Sequence, residues 1–279
     1  MTSRVLTALV LIPPVVYILA WGPEWLFVLV LLAVVERAWH EYVAISRHAG
    51  LTVFGPLGYV ACGLVCLAPA VVRLKQPDSL AFALVLLFLM ATLTFALLAV
   101  PDLQHYFGAT AATFLGIVYV GGTLSCLVPL RYAHQSSDGP GPGRELTLLL
   151  FLVVWAGDIF AFFSGHLAGR TPLSPRISPK KTVEGAVGGF VGSLAVAWGF
   201  ARWFWHTADL KTVMLLAALA AIAGQIGDLV ESAFKRSAAM KDSGGLLPGH
   251  GGLLDRIDSL MFGAPALWLA LAFREILHS

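Results

Sequence analysis

The chain has 279 residues, of which 58% are hydrophobic and 12% are charged, and its formal net charge is +2. A soluble domain typically carries about 25% charged residues and could not bury this many apolar side chains, so the composition excludes an ordinary soluble protein. The small net charge, without a basic patch interleaved with aromatic residues, excludes nucleic acid as a partner. We therefore predict an all-α, polytopic integral membrane protein that sits in a lipid bilayer.

Apolar stretches long enough to span a bilayer recur along the whole chain. They predict about nine transmembrane helices, at residues 5–21, 25–45, 53–72, 79–100, 107–130, 146–169, 184–205, 212–234 and 259–277. Lys and Arg residues are in excess at the N-terminus and in the loops that follow even-numbered spans, and the positive-inside rule places those loops in the cytoplasm. We assign residues 1–145 to N-terminal scaffold helices and residues 146–279 to a catalytic part of the same membrane unit.

The second span is the least regular, because Glu36, Arg37 and Glu41 lie in its latter half. The segment from Trp39 to Tyr42 in this half is interpreted as an interfacial anchor, with its aromatic rings at the level of the lipid headgroups. The polar residues there are therefore assigned no chemical role.

The three cysteines are interpreted as small hydrophobic residues. Cys62 and Cys66 lie four residues apart on one apolar helix, and Cys126 lies alone on another. No further Cys or His is close to them in sequence, so the pattern favours packing over a metal or redox site.

The sixth span carries an acidic residue, Asp158, near its middle. A carboxylate at that depth costs about 2.5–3.5 kcal/mol on insertion scales. We expect Asp158 to face a polar cavity or a partner; the alternative is a structural hydrogen bond between helices.

The loop after the sixth span ends in Ser178-Pro179-Lys180-Lys181. Serine followed by proline is typical of a helix N-cap with proline at the first helical position. Both lysines would then lie in the first turn, where free backbone N–H groups also favour an anion. The alternative is that Lys180 and Lys181 are the ordinary cytoplasmic flank of a span.

Acidic residues recur in pairs between Gly224 and Ser259. Asp228 and Glu231 lie three positions apart, so they share one helix face, and Asp255 and Asp258 repeat this spacing. The two helices can approach closely, because Gly224 and Gly227 carry no side chain.

A basic, glycine-rich loop lies between these acidic pairs, with Lys235 and Arg236 at its start. Its glycines can adopt conformations that turn backbone N–H groups toward an anion. Carboxylates are ligands for Mg²⁺, and Lys and Arg neutralise the charge that develops during phosphoryl or nucleotidyl transfer. The pattern indicates metal-dependent chemistry on a lipid phosphate. An ion-coupled transporter and a set of structural anchors are the alternatives.

The C-terminal half resembles the CTP:phosphatidate cytidylyltransferase (CDP-diacylglycerol synthase) family. The family signature S-x-hydrophobic-K-R, then K-D, H-G-G, D-R and D is filled at every fixed position by Ser232, Phe234, Lys235, Arg236, Lys241, Asp242, Gly244, Leu247, Pro248, His250, Gly251, Gly252, Asp255, Arg256 and Asp258. The stretches 158–170, 178–185 and 224–232 also resemble the family, in the right order. One departure is Phe162, which stands where many members have Tyr.

The resemblance implies a nucleotidyltransferase that converts CTP and phosphatidic acid to CDP-diacylglycerol and pyrophosphate in phospholipid biosynthesis. It also implies dependence on Mg²⁺, a homodimer, and an active site on the cytoplasmic face of a bacterial inner membrane. It leaves open a second, monovalent cation beside Mg²⁺. A CTP-dependent polyprenol kinase would lack the full signature, and the sequence pattern of a CDP-alcohol phosphotransferase is absent.

On this basis we assign candidate roles to individual residues. The expected catalytic residues are Asp228, Asp255, Lys235, Arg236, Lys241 and His250. Substrate phosphates are expected at Lys180, Lys181, Arg256 and Ser232, and the metal at Asp228, Asp255, Asp258 and Asp158. For His250 the choice between donating to a phosphate and ordering its glycine turn stays open. Arg256 pairing with an acid and Ser232 serving in packing also stay open.

Overall fold

The structure is a computed structural model that describes residues 12–72, 78–133, 141–244 and 251–278. Its helices are α1 (12–20), α2 (Glu24–His48), α3 (Gly55–Val72), α4 (Asp78–Ala99), α5 (Leu103–Gly116), a π-helical segment (Ile117–Gly122), α6 (Thr123–Ser125), α7 (Leu127–Arg131), α8 (Gly143–Ala168), α9 (Val183–Trp203), α10 (Leu210–Ser237) and α11 (Leu254–His278). Two short antiparallel strands, β1 (Pro172–Ser174) and β2 (Ser178–Thr182), form a hairpin. The predicted all-α class is confirmed.

Several of these helices are of the membrane-spanning kind. By length and composition, five described stretches can cross a bilayer: Leu103–Arg131, Gly143–Ala168, Val183–Trp203, Leu210–Ser237 and Leu254–Phe273. Shorter apolar helices cover Gly55–Ala70 and Ala83–Ala99. The chain is therefore a membrane protein, and the count of nine spans stays a prediction.

The described residues divide into two compact units. The first unit lies within Met1–Pro129 and Phe234–Arg256, and the second lies within Leu130–Ala233 and Ile257–Ser279. The first unit therefore combines the N-terminal helices with the end of α10 and the start of α11.

The core of the first unit is built around Trp39, which is 0% exposed. Its indole Nε1 donates to the carbonyl of Gly55 at 3.1 Å, and a side chain at Gly58 or Gly116 would overlap its ring. Tyr42 is also buried and donates from its hydroxyl to a backbone carbonyl of α5. The interpretation of this segment as an interfacial anchor is wrong, because its rings fill the space that these glycines leave between helices.

The cysteines lie where hydrophobic packing was predicted. Cys62 and Cys66 are buried and free, and Cys126 is free and half-buried. A Cβ atom placed on Gly121 would lie 3.0 Å from the Cα atom of Cys62. The π-helical segment therefore packs against α3 at a point where Gly121 leaves room for it.

Glycines also set the packing of α8 and α9 in the second unit. A Cβ atom on Gly189 would lie 2.8 Å from the carbonyl oxygen of Gly157, and one on Gly185 would lie 3.0 Å from the carbonyl oxygen of Ala161. Such small residues allow two membrane helices to approach closely. This contact holds the C-terminal part of α8 against the start of α9, beside the hairpin.

The predicted helix start at Ser178 is wrong, because Ser178–Thr182 is strand β2. Pairing with β1 extends the backbone there, and α9 begins at Val183 with Thr182 as its N-cap. The Thr182 hydroxyl accepts from the backbone N–H of Gly185 at 3.1 Å. Glu184 in the first turn accepts from the N–H groups of Arg170 and Thr171, so it ties the start of the hairpin to the helix.

Candidate active site

A cavity of about 580 Å³ lies within the second unit. Residues of α8, the β1–β2 hairpin, α9, α10 and α11 line it. Four of the predicted site residues are among them: Asp158, Lys180, Lys181 and Asp228. Acidic and basic side chains from three separate parts of the sequence therefore meet at one cavity, as expected for Asp158.

One ion pair joins the hairpin to α10 at this cavity. The ammonium group of Lys181 contacts the carboxylate of Asp228, and the two side chains are 30% and 29% exposed. An ion pair that water still reaches contributes little to stability. The two side chains can therefore exchange this contact for another charged partner at a small cost in stability.

The rest of the cavity wall contains polar groups that the sequence analysis did not assign. Ser178 and Gln225 lie on it, together with His166, whose ring stacks on Phe162 with the ring centres 6.2 Å apart. The side chain of Gln225 donates to the carbonyl of Ala186 at 3.0 Å. Gln225 could have been chosen as a candidate from the sequence, because it lies in the stretch 224–232 that resembles the family.

A group of acidic side chains adjoins the cavity where α10 meets α11. Asp258 is buried and interacts electrostatically with Asp228, Glu231 and Asp158. A Cβ atom on Gly227 would lie 2.6 Å from the carbonyl oxygen of Asp258. Gly227 therefore allows the close helix approach that its lack of a side chain predicted.

The chemistry of this acidic group fits a magnesium ion. Within the described part of the chain, no three His, Cys, Asp or Glu residues are arranged to hold a metal by themselves. Mg²⁺ usually takes only one or two carboxylates and completes its shell with water and substrate phosphates. Asp228 and Asp258 supply oxygen donors of that kind, and a cation would relieve the repulsion between neighbouring carboxylates.

A second group of charged residues lies in the first unit, around Asp255 in the first turn of α11. Lys235 Nζ lies 2.5 Å from Asp255 Oδ1, and these side chains are 11% and 6% exposed. Asp255 Oδ2 accepts from the N–H of Ser243 at 3.0 Å and from the N–H of Gly252 at 2.8 Å, and it lies 3.0 Å from the Ser243 hydroxyl oxygen. In this structure the Asp255 carboxylate is hydrogen-bonded to protein donors, and its role as a metal ligand stays a prediction.

Glu41 on α2 belongs to this second group, and the sequence analysis missed it. It is 1% exposed and accepts from the Ser243 hydroxyl at 2.9 Å and from the N–H groups of Leu253 and Leu254 at 3.0 and 2.8 Å. The available signal was an acidic residue inside an apolar span, which is the criterion that singled out Asp158.

The remaining predicted site residues lie at several kinds of position. Ser232 is buried within α10, which leaves both of its proposed roles open. Lys241 and Arg256 are exposed, and so is Arg236, whose side chain donates to the carbonyl of Met240 at 3.1 Å. His250 lies outside the described residues.

Comparison with known proteins gives matches along the chain. A family model described as "Cytidylyltransferase family" matches residues 2–274. The chain is 35% identical over 292 residues to a phosphatidate cytidylyltransferase of Synechocystis sp., and this match covers 96% of the chain and 95% of the relative.

Other relatives match over a shorter stretch. A phosphatidate cytidylyltransferase of Thermotoga maritima is 36% identical over 186 residues, which is 65% of this chain and 66% of that protein. One from Staphylococcus saprophyticus is 41% identical over 161 residues, which is 58% of each. The chain therefore spans less than two thirds of the length of these two relatives.

Proposed function

The chain belongs to the cytidylyltransferase family, and on this premise we propose that it is a phosphatidate cytidylyltransferase. It would transfer CMP from CTP to phosphatidic acid and yield CDP-diacylglycerol and pyrophosphate. The relatives from Synechocystis, Thermotoga and Staphylococcus carry that name.

The observation that carries the proposal is the cavity of the second unit. Two lysines and two aspartates, Lys180, Lys181, Asp158 and Asp228, line one cavity among helices apolar enough to span a membrane. Phosphate groups need cations around them, and a diacyl substrate needs an apolar surrounding for its chains. A cavity that offers both suits a lipid phosphate and a nucleotide triphosphate.

In the proposed reaction, an oxygen of the phosphatidate phosphate attacks the α-phosphorus of CTP. The bond from that phosphorus to the oxygen bridging the β-phosphate breaks, and pyrophosphate leaves with the electron pair. The attacking oxygen is already anionic near neutral pH, so no general base has to remove a proton. The residues therefore act by positioning the two phosphates and neutralising the charge on the leaving group.

Individual residues take these roles as follows. Lys180 and Lys181 bind phosphate oxygens at the cavity, and Lys181 releases Asp228 from its ion pair when it does so. Lys235, Arg236 and Lys241 are proposed to bind phosphates. His250, Arg256 and Ser232 are candidates for the same role, with turn ordering, pairing with an acid and packing as their respective alternatives.

Asp228 and Asp258 would hold Mg²⁺, with Asp158 and Asp255 as further candidates. A bound Mg²⁺ supplies a positive charge that offsets the charge of the triphosphate. Lys and Arg are in excess in the loops that follow even-numbered spans, which favours a cytoplasmic active site. The family resemblance favours a homodimer.

The test is pyrophosphate release by the purified full chain in detergent with phosphatidic acid, CTP and Mg²⁺. We expect release that needs both substrates, stops with EDTA and falls at least about 100-fold in Asp228→Asn, because one preorganised charge in such a site contributes about that much. Asp209→Asn, at the residue that precedes the same helix, is the matched control. It replaces a cap at the other end of α10, where Asp209 accepts from Thr212, by a residue that caps equally well.

Release that persists with EDTA would contradict the role of Mg²⁺. No release from protein that remains folded would contradict the proposed reaction. Transfer of phosphate to a prenyl alcohol and substrate flux in proteoliposomes would then be measured.

A further inference from the structure

Glu41 holds the turn that leads into α11, although α2 lies far from it in the sequence. Its two carboxylate oxygens accept from the N–H groups of Leu253 and Leu254, which are 212 and 213 residues away. These N–H groups lie at the start of α11, where a helix has no internal acceptors for them and where a negative charge is favoured. Glu41 thus caps a helix from another part of the chain.

The same carboxylate reaches the Asp255 group through one hydroxyl. The Ser243 hydroxyl lies 2.9 Å from Glu41 Oε2 and 3.0 Å from Asp255 Oδ2. Since a hydroxyl has a single proton, it can donate to only one of these carboxylates at a time. Ser243 therefore couples the positions of Glu41 and Asp255 while the backbone donors of Ser243 and Gly252 hold Asp255.

The packing leaves little freedom to this arrangement. A Cβ atom on Gly252 would lie 2.5 Å from Glu41 Oε2, and one on Gly244 would lie 3.0 Å from Glu41 Oε1. Arg37 Nη2, one turn earlier on α2, lies 3.0 Å from Glu41 Oε1. The buried charge of Glu41 is therefore both paired and enclosed.

We propose that Glu41 is a positioning residue, which fixes the turn before α11 through Leu253, Leu254 and Ser243 and so sets the Asp255–Lys235 pair. This inference rests on the proposed function, because the family signature gives Asp255 and Lys235 their roles in the reaction. Glu41 itself is assigned no contact with either substrate. Its contribution is to hold the carboxylate of Asp255 in one orientation.

The test compares Glu41→Gln with Glu36→Gln in the purified full chain. Glutamine keeps the size of Glu41 but directs an amide N–H₂ at groups that are themselves donors. We expect kcat per folded protein to fall about 10- to 100-fold, as for partners that orient a reacting group's neighbours, with smaller changes in KM for CTP and phosphatidic acid. Glu36 lies on the same helix and contacts none of these donors in the described structure, so Glu36→Gln should keep the wild-type kcat.

A second readout does not depend on the reaction. Amide hydrogen exchange of residues 252–255 should become faster in Glu41→Gln and stay unchanged in Glu36→Gln. An inactive wild-type protein would refute the proposed function, and the exchange comparison would still decide whether Glu41 fixes the turn.

An unchanged kcat in folded Glu41→Gln, or unchanged exchange at residues 252–255, would overturn the proposal. If Glu41→Gln does not fold, Ser243→Ala decides. This variant removes the bridging hydroxyl and keeps the backbone N–H that donates to Asp255. A fall in kcat supports the proposal, and a wild-type kcat refutes it.

Discussion

The ion pair of Lys181 and Asp228 at the cavity is partly exposed to solvent. Both side chains lie about 30% open to solvent at the cavity, whereas Lys235 and Asp255 are nearly enclosed. Exposed ion pairs add at most about 1 kcal/mol to stability. The contact of Lys181 with Asp228 therefore adds little to the stability of the fold, and we expect Lys181 to serve the proposed substrate instead.

This explanation predicts the behaviour of Lys181→Met. The variant keeps the apolar stem and loses the charge, so kcat/KM should fall about 100-fold while the thermal midpoint in detergent changes little. Lys211→Met is the matched control, because Lys211 is an exposed lysine at the far end of α10. Equal activity in the two variants would remove Lys181 from the site.

The contact of α10 with α11 depends more on Gly227 than on Gly224. A Cβ atom on Gly227 would lie 2.6 Å from the carbonyl oxygen of Asp258, whereas one on Gly224 would meet its nearest atoms at 3.5 Å, an ordinary contact distance. Extra atoms in a packed contact typically cost about 1–3 kcal/mol. Gly224 therefore leaves room for an added methyl group, and Gly227 does not.

Gly227→Ala should lower both the thermal midpoint and kcat, because it moves the backbone that carries Asp258. Gly224→Ala should leave both close to wild type. Thermal inactivation and initial rates, measured on the two variants side by side, provide the check. If Gly224→Ala were the more damaged of the two, the described helix contact would be wrong.

The β1–β2 hairpin could not be predicted from local sequence patterns. Lys180 and Lys181 were predicted to bind anions from a helical first turn, and they do line the cavity, but from strand β2. Ser178-Pro179 has the local features of a helix start, and so does Thr182, which caps α9. Pairing of Pro172 with Thr182 decides between them, and no short-range pattern contains that partner.

Sequence patterns located charged side chains of the cavity, but they did not locate the contacts that support the second charged group. Asp158 and Asp228 were singled out as charges in apolar helices, where a charge needs a partner or a polar cavity, and both line the cavity. Glu41 met the same criterion, but its partners lie more than 200 residues away. Long-range contacts of that kind have no local signature.

In the proposed reaction the α-phosphorus of CTP is attacked, and the β- and γ-phosphates leave together. The most direct measurement follows phosphorus label from CTP into the lipid fraction, with phosphatidic acid, Mg²⁺ and the purified full chain. We expect label at the α-phosphate to enter the lipid and label at the γ-phosphate to leave in pyrophosphate. Label from the γ-phosphate in the lipid, with none from the α-phosphate, would show a kinase and contradict this expectation.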